Sequence, residues 1–347
     1  MRTSIRKSAK MEGTEMATKE TRTMEQEPKT SEHRSQFEQF WREFRKNRLS
    51  IVGAVIIGLT LFAAIFAPVI APHDPATQFD APDGEHNPLP PGSTLLVEGE
   101  SNAEITAYLG TDNHGRDLLS RMIFGLRTLM MISIGVNLVA MTVGITLGAI
   151  AGYLGNSWVD ETIMRAMDII LSFPSLILAI AIIGILGAGK TDYGWVVVPN
   201  LAKIIFVIGF AYIPRFARVM RSAVLKEMEE DYVDAAKSLG ASNSHILTRD
   251  ILVNTIPIVV VQATLYMATA VLASAGLSFL GLGLQPPTAS LGLMLSNARS
   301  FVYSGQWWYP VFPGLALMII ILGFNLLGDG LRDALDPRYS QEGSNDQ

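Results

Sequence analysis

Cysteine is absent from this chain of 347 residues, so disulfides, thiol catalysis and cysteine-ligated metal sites are excluded. Charge is also scarce, because Asp, Glu, Lys and Arg make up only 17% of the chain, against about 25% in soluble domains. The five histidines form no cluster, and the apolar stretches hold no Ser-His-Asp set and no paired carboxylates. A catalytic centre within the apolar part is therefore not indicated.

The charges are clustered, which leaves uncharged runs longer than the roughly 20 residues that cross a bilayer. These runs cover residues 51–71, 128–159, 169–189, 251–298 and 300–328. A further apolar stretch, 193–214, is interrupted only by Lys203. The first 40 residues are polar, so no cleavable signal is visible and the first apolar run is expected to stay as an anchor. The composition predicts a polytopic membrane protein.

Basic residues predict the orientation. Residues 1–50 contain twelve Lys or Arg, whereas the acidic loop 72–115 contains none. The positive-inside rule then places the N-terminus in the cytoplasm and the loop outside. Six crossings, which return the C-terminus to the cytoplasm, are predicted at about 51–71, 129–154, 169–188, 200–220, 253–275 and 311–328.

A seventh crossing within 251–298 is the alternative, but glycines and two prolines interrupt its second half. We expect a re-entrant or surface segment at 277–298 instead, because irregular backbone at membrane depth needs protein or water around it. Lys203 lies near the outer end of the fourth crossing. It is expected to snorkel to the interface, the alternative being a substrate or proton contact.

The remaining segments complete an all-α organisation. Aromatic residues recur at helical spacing among charges just before the first crossing, as in helices that lie on a membrane surface. In chain order the predicted parts are a disordered cytoplasmic tail (1–36), an amphipathic interfacial helix (37–50), the first transmembrane helix (51–71), an extracytoplasmic loop and helix (72–128), a transmembrane domain (129–330) and a cytoplasmic tail (331–347).

Two local patterns concern packing rather than chemistry. Gly144, Gly148 and Gly152 recur every four residues in the second crossing, which predicts a smooth face for close helix approach. The stretch 184–191 matches the phosphate-loop pattern GxxxxGK[ST]. That pattern binds nucleotides only where a strand feeds a loop that opens a helix, whereas a membrane helix precedes it here. We interpret the match as a coincidence.

The segment at about 228–246, between the fourth and fifth crossings, carries the most informative pattern. Tyr232, Ala235, Ala236 and Leu239 follow i, i+3, i+4, i+7 spacing and predict a narrow apolar stripe on a short cytoplasmic helix. Gly240 follows where helices end in a left-handed residue, and a second helix can start just beyond it. We expect an exposed elbow that fits a groove on another protein, the alternative being an ordinary amphipathic helix.

Four spaced blocks resemble the dipeptide/oligopeptide/nickel permease family of ABC importers, specifically its C-type subunit. Asp234-Ala235-Ala236 with Gly240 resembles the EAA loop of those permeases, with Asp234 where the family usually has Glu. The stretch 277–283 before two prolines is a second block. An outer-face block comprises Gly110, Thr111, Asp112, Gly115, Arg116, Asp117 and Arg121. A C-terminal block comprises Asn325, Gly328, Asp329, Arg332, Asp333 and Asp336.

The resemblance implies a type I ABC importer permease fold in the cytoplasmic membrane. It implies a second homologous permease subunit, two cytoplasmic ATPase subunits that bind ATP and Mg, and an extracytoplasmic substrate-binding protein that delivers di- or oligopeptides. This chain would bind no cofactor and no nucleic acid, and the stretch from Tyr232 to Gly240 would sit in an ATPase groove. Nickel or oligosaccharide import by the same machinery is the alternative, and an ion-coupled secondary transporter is a further one.

The resemblance leaves two roles open. The outer-face block would shape the surface on which the binding protein docks, or it would simply cap a helix, with Asp117 and Arg121 spaced to pair. The C-terminal block would brace the elbow from the cytoplasmic side, or it would form a solvated helix end with local ion pairs.

Overall fold

The structure is a computed structural model. It describes residues 36–80, 88–96, 104–192 and 197–335, and the structural statements below refer to these ranges. The predictions for the tail 1–35, for 336–347 and for Asp336 lie outside the described residues. The chain divides into two units, Met1–Glu43 and Phe44–Gln347. The described part of the first unit is the stretch 36–43, which begins the first helix.

The described chain is mostly helical. Its first half contains α1 (Gln36–Lys46), α2 (Arg48–Ile65), α3 (Ala67–Ile70), β1 (Ser93–Leu96), β2 (Glu104–Ala107), α4 (Leu118–Tyr153), α5 (Trp158–Leu171) and α6 (Ser175–Leu186). Its second half contains β3 (Thr191–Asp192), β4 (Val197–Val198), α7 (Asn200–Glu227), α8 (Asp231–Ser238), α9 (Asn243–His245), a π-helical turn (Ile246–Ile251), α10 (Leu252–Phe279), α11 (Leu291–Ala298), a 3₁₀ turn (Arg299–Phe301) and α12 (Trp308–Leu335). The strands form two antiparallel hairpins, β1 with β2 and β3 with β4.

Five helical stretches are long and apolar enough to cross a membrane, and the bent pair of α5 and α6 makes up to six. The five are α2, α4, α7, α12 and the stretch Asn243–Phe279 that runs from α9 through α10. Their buried faces form two large apolar clusters. One joins α2, α4, α10, α11 and α12, and the other joins α4, α6, α7 and α10. The prediction of a polytopic all-α membrane protein is confirmed.

The third predicted crossing, 169–188, is not one helix. The chain leaves α5 at Leu171 and enters α6 at Ser175 after a bend of 86°. Pro174 occupies the N-cap of α6 with extended ψ, and proline cannot donate the N–H that a continuous helix would need. The 12 residues of α6 rise about 18 Å. Because the hydrocarbon core is about 30 Å thick, α6 alone is too short to span it.

Other helix limits also differ from the predicted crossings. Helix α4 is continuous for 36 residues, so the helix predicted before residue 128 and the second crossing form one rod. Helices α7 and α12 extend seven residues beyond the predicted ends at 220 and 328. Within 277–298 the described helix that follows α10 is α11, with eight residues, too few for a seventh crossing.

The glycine face of α4 makes the predicted close contact with a helix, and the structure shows that this helix is α7. A Cβ added at Gly144 would lie 2.6 Å from the Cβ of Phe216, and one added at Gly152 would lie 2.8 Å from the Cβ of Val224. One added at Gly148 would collide with the carbonyl oxygen of Ala217. The two helices therefore approach so closely that three successive turns of α4 exclude any side chain.

Candidate functional site

Helix α8 ends in a Schellman motif at the predicted glycine. Gly240 has φ +82°, a left-handed conformation that glycine adopts without strain. The Gly240 N–H donates to the Lys237 carbonyl at 3.0 Å, and the Ala241 N–H donates to the Ala236 carbonyl at 3.1 Å. These bonds satisfy carbonyls at the helix end and turn the chain sharply.

The second arm of the elbow is the beginning of the fifth crossing. The Ser242 hydroxyl accepts a bond from the His245 N–H at 3.3 Å and caps α9. Helix α9 has only three residues, and the π-helical turn then leads directly into α10. The predicted elbow at about 228–246 thus consists of α8, a turn and the first residues of the long helical stretch Asn243–Phe279.

Val233 anchors α8 to the body of the protein, a role that the stripe pattern missed. Its side chain is fully buried in an apolar cluster with Ile246, Ile251 and Val224. Ala236, three residues later, is half-buried on the same cluster. Val233 is the only β-branched residue of α8. This aliphatic side chain was the feature of the sequence from which the buried position could have been predicted.

The other predicted stripe residues lie outside this apolar cluster. Tyr232 and Ala235 are exposed, and Leu239 is 89% exposed. Asp234 is also exposed and pairs with Lys237 at 3.1 Å, a surface ion pair that contributes less than about 1 kcal/mol. The outer face of α8 therefore presents the small Ala235 and the apolar Leu239 beside the exposed Asp234–Lys237 pair.

Tyr232 links the three helices that meet at the elbow. Its hydroxyl donates to Glu227 at the end of α7 at 2.6 Å, and Asn254 near the start of α10 donates to the same hydroxyl at 3.1 Å. Partial burial, together with the bond to Glu227, raises the pKa of the Tyr232 phenol above its usual value. The elbow is thus held to both adjoining membrane helices.

Two ion pairs hold α5 against the same half of α7. Arg221 binds Asp160 with two bonds of 2.6 Å, and Asp160 is buried. Arg218 binds Asp168 at 2.6 Å on the exposed side. Helix α7 therefore contacts α5 of the bent pair through these ion pairs and leads directly to the elbow.

The outer-face block is a buried turn that fastens the loop to α4. Gly110 has φ +83°, and a Cβ there would collide with the Leu89 carbonyl. The Thr111 hydroxyl accepts the Leu89 N–H at 2.8 Å, and the Leu118 N–H donates to the Gly110 carbonyl at 3.0 Å. Gly115 accepts from the N–H of Phe79 at 3.0 Å. The turn thereby joins the loop to the first residue of α4.

Asp112 is the centre of a buried charge cluster. Arg116 Nε lies 2.7 Å from its carboxylate, and Arg121 Nε lies 3.2 Å away. All three side chains are at most 6% exposed. Next to Asp112, the Asn113 side chain accepts the Tyr309 hydroxyl at 2.9 Å, which ties the turn to α12.

The expected pair of Asp117 and Arg121 does not form. Asp117 is the N-cap of α4, and its carboxylate accepts the N–H and the hydroxyl of Ser120 at 2.9 and 2.6 Å. Arg121 instead pairs with Asp112 and donates to the Pro75 carbonyl at 2.7 Å. The capping geometry directs Asp117 toward its own helix end, so the guanidinium is available to the loop.

We expect Asp117→Ala to lower the free energy of unfolding by about 1–2 kcal/mol, the usual cost of a lost N-cap. Thermal unfolding of the purified chain in detergent measures the effect. Asp117→Asn is the matched control, because its amide oxygen can still accept from Ser120, and it should cost less. Equal melting temperatures for the alanine variant and the wild type would contradict the capping role.

The C-terminal block divides between packing and surface. A Cβ on Gly328 would lie 2.7 Å from Leu265 of α10, so this glycine permits close helix contact. Asn325, Asp329 and Arg332 are exposed. Asp333 accepts a bond from Asn47, the N-cap residue of α2, at 3.1 Å. The polar contact described for this block is thus with the start of the first crossing.

Lys203 does not snorkel as expected. It is only 5% exposed, and its ammonium donates to the Gly187 carbonyl and the Thr191 hydroxyl, each at 2.6 Å. These partners belong to the stretch that matches the phosphate-loop pattern. There a helix runs into a loop and then into β3, the reverse of the order that binds phosphate, and the loop presents a carbonyl to a lysine. The interpretation of this match as a coincidence is supported.

Comparisons with known proteins agree with this architecture. The family model described as binding-protein-dependent transport system inner membrane component matches residues 144–341, and that of the N-terminal TM domain of oligopeptide transport permease C matches residues 35–91. A structure of the MetNI methionine ABC transporter in an inward-facing conformation matches with a TM-score of 0.51 and 20% identity, covering 62% of this chain and 96% of that chain. The likeness is one of fold and extends over about three fifths of this chain.

Curated relatives match over most of their length. A di/tripeptide transport system permease protein of Pseudomonas aeruginosa is 40% identical over 304 residues, 88% of this chain and 93% of that protein. A dipeptide transport system permease protein of Alkalihalophilus pseudofirmus is 38% identical over 86% of this chain and 90% of its own. A glutathione transport system permease protein of Pectobacterium atrosepticum is 36% identical over 88% of this chain and 92% of its own. The chain therefore belongs to the family of binding-protein-dependent transport system inner membrane components and is a multi-pass permease subunit of an ABC transporter.

Proposed function

We propose that this chain forms half of the membrane pathway of an importer for short peptides. The identity to permeases named for dipeptides and di/tripeptides, 38–40% over at least 86% of the chain, carries this proposal. A second homologous permease subunit completes the pathway, two ATPase subunits bind ATP and Mg, and an extracytoplasmic binding protein delivers the peptide. Both termini and the elbow lie in the cytoplasm, as the basic residues of 1–50 favour.

The elbow supplies the mechanical step of this proposal. Its outer face, with Tyr232, Ala235 and Leu239, is exposed for an ATPase groove, while Val233 fixes α8 to the membrane helices. If the ATPase binds this face with different affinity in its two nucleotide states, that difference in affinity shifts the equilibrium between two conformations of the membrane helices. Because Val233 of α8 packs on Ile246 and Ile251, which lead into α10, such a movement is carried across the turn to the crossing.

The outer-face block positions the extracytoplasmic loop rather than contacting the binding protein directly. Thr111, Asp112, Arg116 and Asp117 are nearly fully buried, so they shape the docking surface from beneath. His114, at the tip of the turn, is exposed. In the C-terminal block, Asp333 braces the end of α12 against Asn47, and the exposed charges face the cytoplasm.

The test is uptake of labelled peptide by proteoliposomes that contain both permease subunits, both ATPases and the binding protein. We expect ATP-dependent accumulation of dipeptides and tripeptides. Glutathione, nickel and an oligosaccharide are tested in separate assays as the alternative substrates. Uptake of nickel or the oligosaccharide but of no peptide would replace the proposed substrate. Uptake that depends on an ion gradient and not on ATP would overturn the proposed coupling to ATP hydrolysis.

A further inference from the structure

One arginine lies within the fourth predicted crossing, 200–220, in its inner third. Arg215 is fifteen residues from the outer end of α7 (Asn200–Glu227), which is about 22 Å along the helix axis. A charged side chain at such depth is costly in lipid, and it usually faces the interior of a bundle or a watery pathway. The structure describes Arg215 as partly exposed, so its head group is neither fully enclosed nor at a helix end.

Two tyrosines hold the guanidinium of Arg215. Its Cζ lies 4.4 Å from the ring centroid of Tyr212 and 5.6 Å from that of Tyr266 on α10, within the range of cation–π attraction. Both rings are themselves fixed. The Tyr212 hydroxyl donates to the Thr269 carbonyl at 3.0 Å, and Phe216 packs edge-on against Tyr266 at 5.0 Å.

Arg215 differs from its two neighbours on α7 in its partners. Arg218 and Arg221 each bind an aspartate of α5 at 2.6 Å. In the described ranges, no carboxylate lies within 4.0 Å of Arg215, and its hydrogen bond to the Ser175 hydroxyl is long, at 3.5 Å. Aromatic rings cover a guanidinium through its faces, so the N–H groups along its edge keep their capacity to bind an oxygen acceptor.

Polar side chains lie on the helices beside Arg215, and this part of the bundle is partly open. Gln262, Tyr266 and Thr269 lie at i, i+4 and i+7 on α10, and none of them is fully buried. Ser175 follows the break between α5 and α6, where irregular backbone requires protein or water around it. Ser175 of α6, Tyr212 of α7 and Tyr266 of α10 thus meet at the Arg215 guanidinium, an arrangement expected of a pathway wall and not of a lipid-facing surface.

We propose that Arg215 binds the carboxylate of the peptide as it passes through the membrane. The inference rests on the proposed peptide transport and adds a residue of the pathway to it. A guanidinium matches a carboxylate with two parallel N–H bonds, and the two tyrosines hold its plane ready. The carboxylate belongs to the C-terminus of the peptide or to an acidic side chain, and a carboxylate of the second permease subunit is the competing partner.

The absence of cysteine from the chain permits a charge-rescue experiment. Arg215→Cys is assembled into the complete importer and treated with a methanethiosulfonate that attaches an aminoethyl cation or with one that attaches a sulfonatoethyl anion. The same importer with the cysteine-free wild-type chain is treated in parallel to correct for partner subunits. We expect peptide uptake to fall at least tenfold in the variant, to recover severalfold with the cation and not with the anion.

Substrate discrimination is the second measurement. Uptake of Ala-Ala, of Ala-Ala amide and of Ala-Glu amide is compared between the wild type and Arg215→Gln, each with the same binding protein. We expect the variant to lose more uptake of a carboxylate peptide than of the neutral amide. Ala-Glu amide shows whether a side-chain carboxylate is sufficient. Arg218→Gln is the matched control on the same helix, and its effect should be equal for all three peptides.

Equal losses for carboxylate and amide peptides in Arg215→Gln would overturn the proposal and favour a partner on the second permease subunit. So would equal recovery with either reagent, or no loss of uptake in Arg215→Cys. Recovery with the cation shows that position 215 needs a positive charge, and the comparison of carboxylate and amide peptides then separates the peptide from the second subunit as its partner. A wild-type importer that moves no peptide at all would instead refute the proposed function, so the two failures are distinguishable.

Discussion

Gly240→Asp is expected to abolish most ATP-driven uptake while ATP hydrolysis continues and the complex still assembles. The glycine has φ +82°, which Asp tolerates better than most residues, and a Cβ there meets no atom within 4 Å. The fold of the elbow should therefore survive the substitution. The new carboxylate lies at the exposed end of α8, next to the face that we propose to dock into an ATPase groove.

The expected loss of uptake follows from the cost of enclosing that charge. An unpaired charge buried in an interface costs several kcal/mol, and each 1.4 kcal/mol lowers the occupancy of the docked state about tenfold. We therefore expect uptake to fall by about tenfold or more. Simultaneous assays of phosphate release and peptide uptake in proteoliposomes measure the ratio of transport to hydrolysis.

Gly240→Asn is the matched control for this experiment. Asn has nearly the shape of Asp and also adopts left-handed backbone, but it adds no charge. We expect the Asn variant to keep most of its uptake. Equal uptake by Gly240→Asp and the wild type would remove the support for docking at this end of α8. Equal and severe losses in both variants would point to backbone strain rather than to an interface.

Local sequence signals predicted the features that depend on neighbouring residues. The uncharged runs indicated the membrane helices, because burying a charge in lipid is costly wherever it occurs. Gly240 was identified as a helix end because a left-handed residue closes the helix within its own last turn. The four-residue spacing of Gly144, Gly148 and Gly152 indicated a contact face, although it did not say which helix would meet it.

Features that depend on distant residues were not predictable in this way. Asn113 and Tyr309 are 196 positions apart, and their bond fastens the outer turn to the last helix. Spacing alone favoured an Asp117–Arg121 pair, whereas the loop residues around Asp112 and Pro75 determine the partners of Arg121. Spacing patterns compare only residues that are near in sequence. They therefore predict local pairs even where the folded chain brings a different partner closer.

Val233, which anchors α8, is an example at the candidate site of a contact that spacing did not predict. The apolar stripe was predicted to include Ala236 with Tyr232, Ala235 and Leu239, but the structure turns Ala236 toward Val233 and the protein body. Eight residues make about two turns, so a short helix has too few positions to define which face is buried. The buried face became evident only from Ile246 and Ile251, which follow the turn.

Gly148→Leu is expected to prevent stable folding of the chain. Replacing glycine in a helix interior normally favours the helix by up to about 1 kcal/mol. At Gly148 this gain is outweighed, because even a Cβ would collide with the Ala217 carbonyl and would lie 2.8 Å from the Cβ of Met220. Overpacking costs about 1–3 kcal/mol and more where backbone must move. Helices α4 and α7 would have to separate along the contact that also includes Gly144 and Gly152.

Fluorescence-detected gel filtration of detergent extracts measures how much folded chain each variant yields. Gly184→Leu is the matched control, since Gly184 is an exposed glycine of α6 where an added Cβ meets no atom within 4 Å. We expect this control to fold as well as the wild type, because it gains helix propensity without a collision. A normal yield and melting temperature for Gly148→Leu would mean that α4 and α7 are not held together by this glycine face. The rigid connection from the outer turn through α4 and α7 to the elbow would then lose its main support.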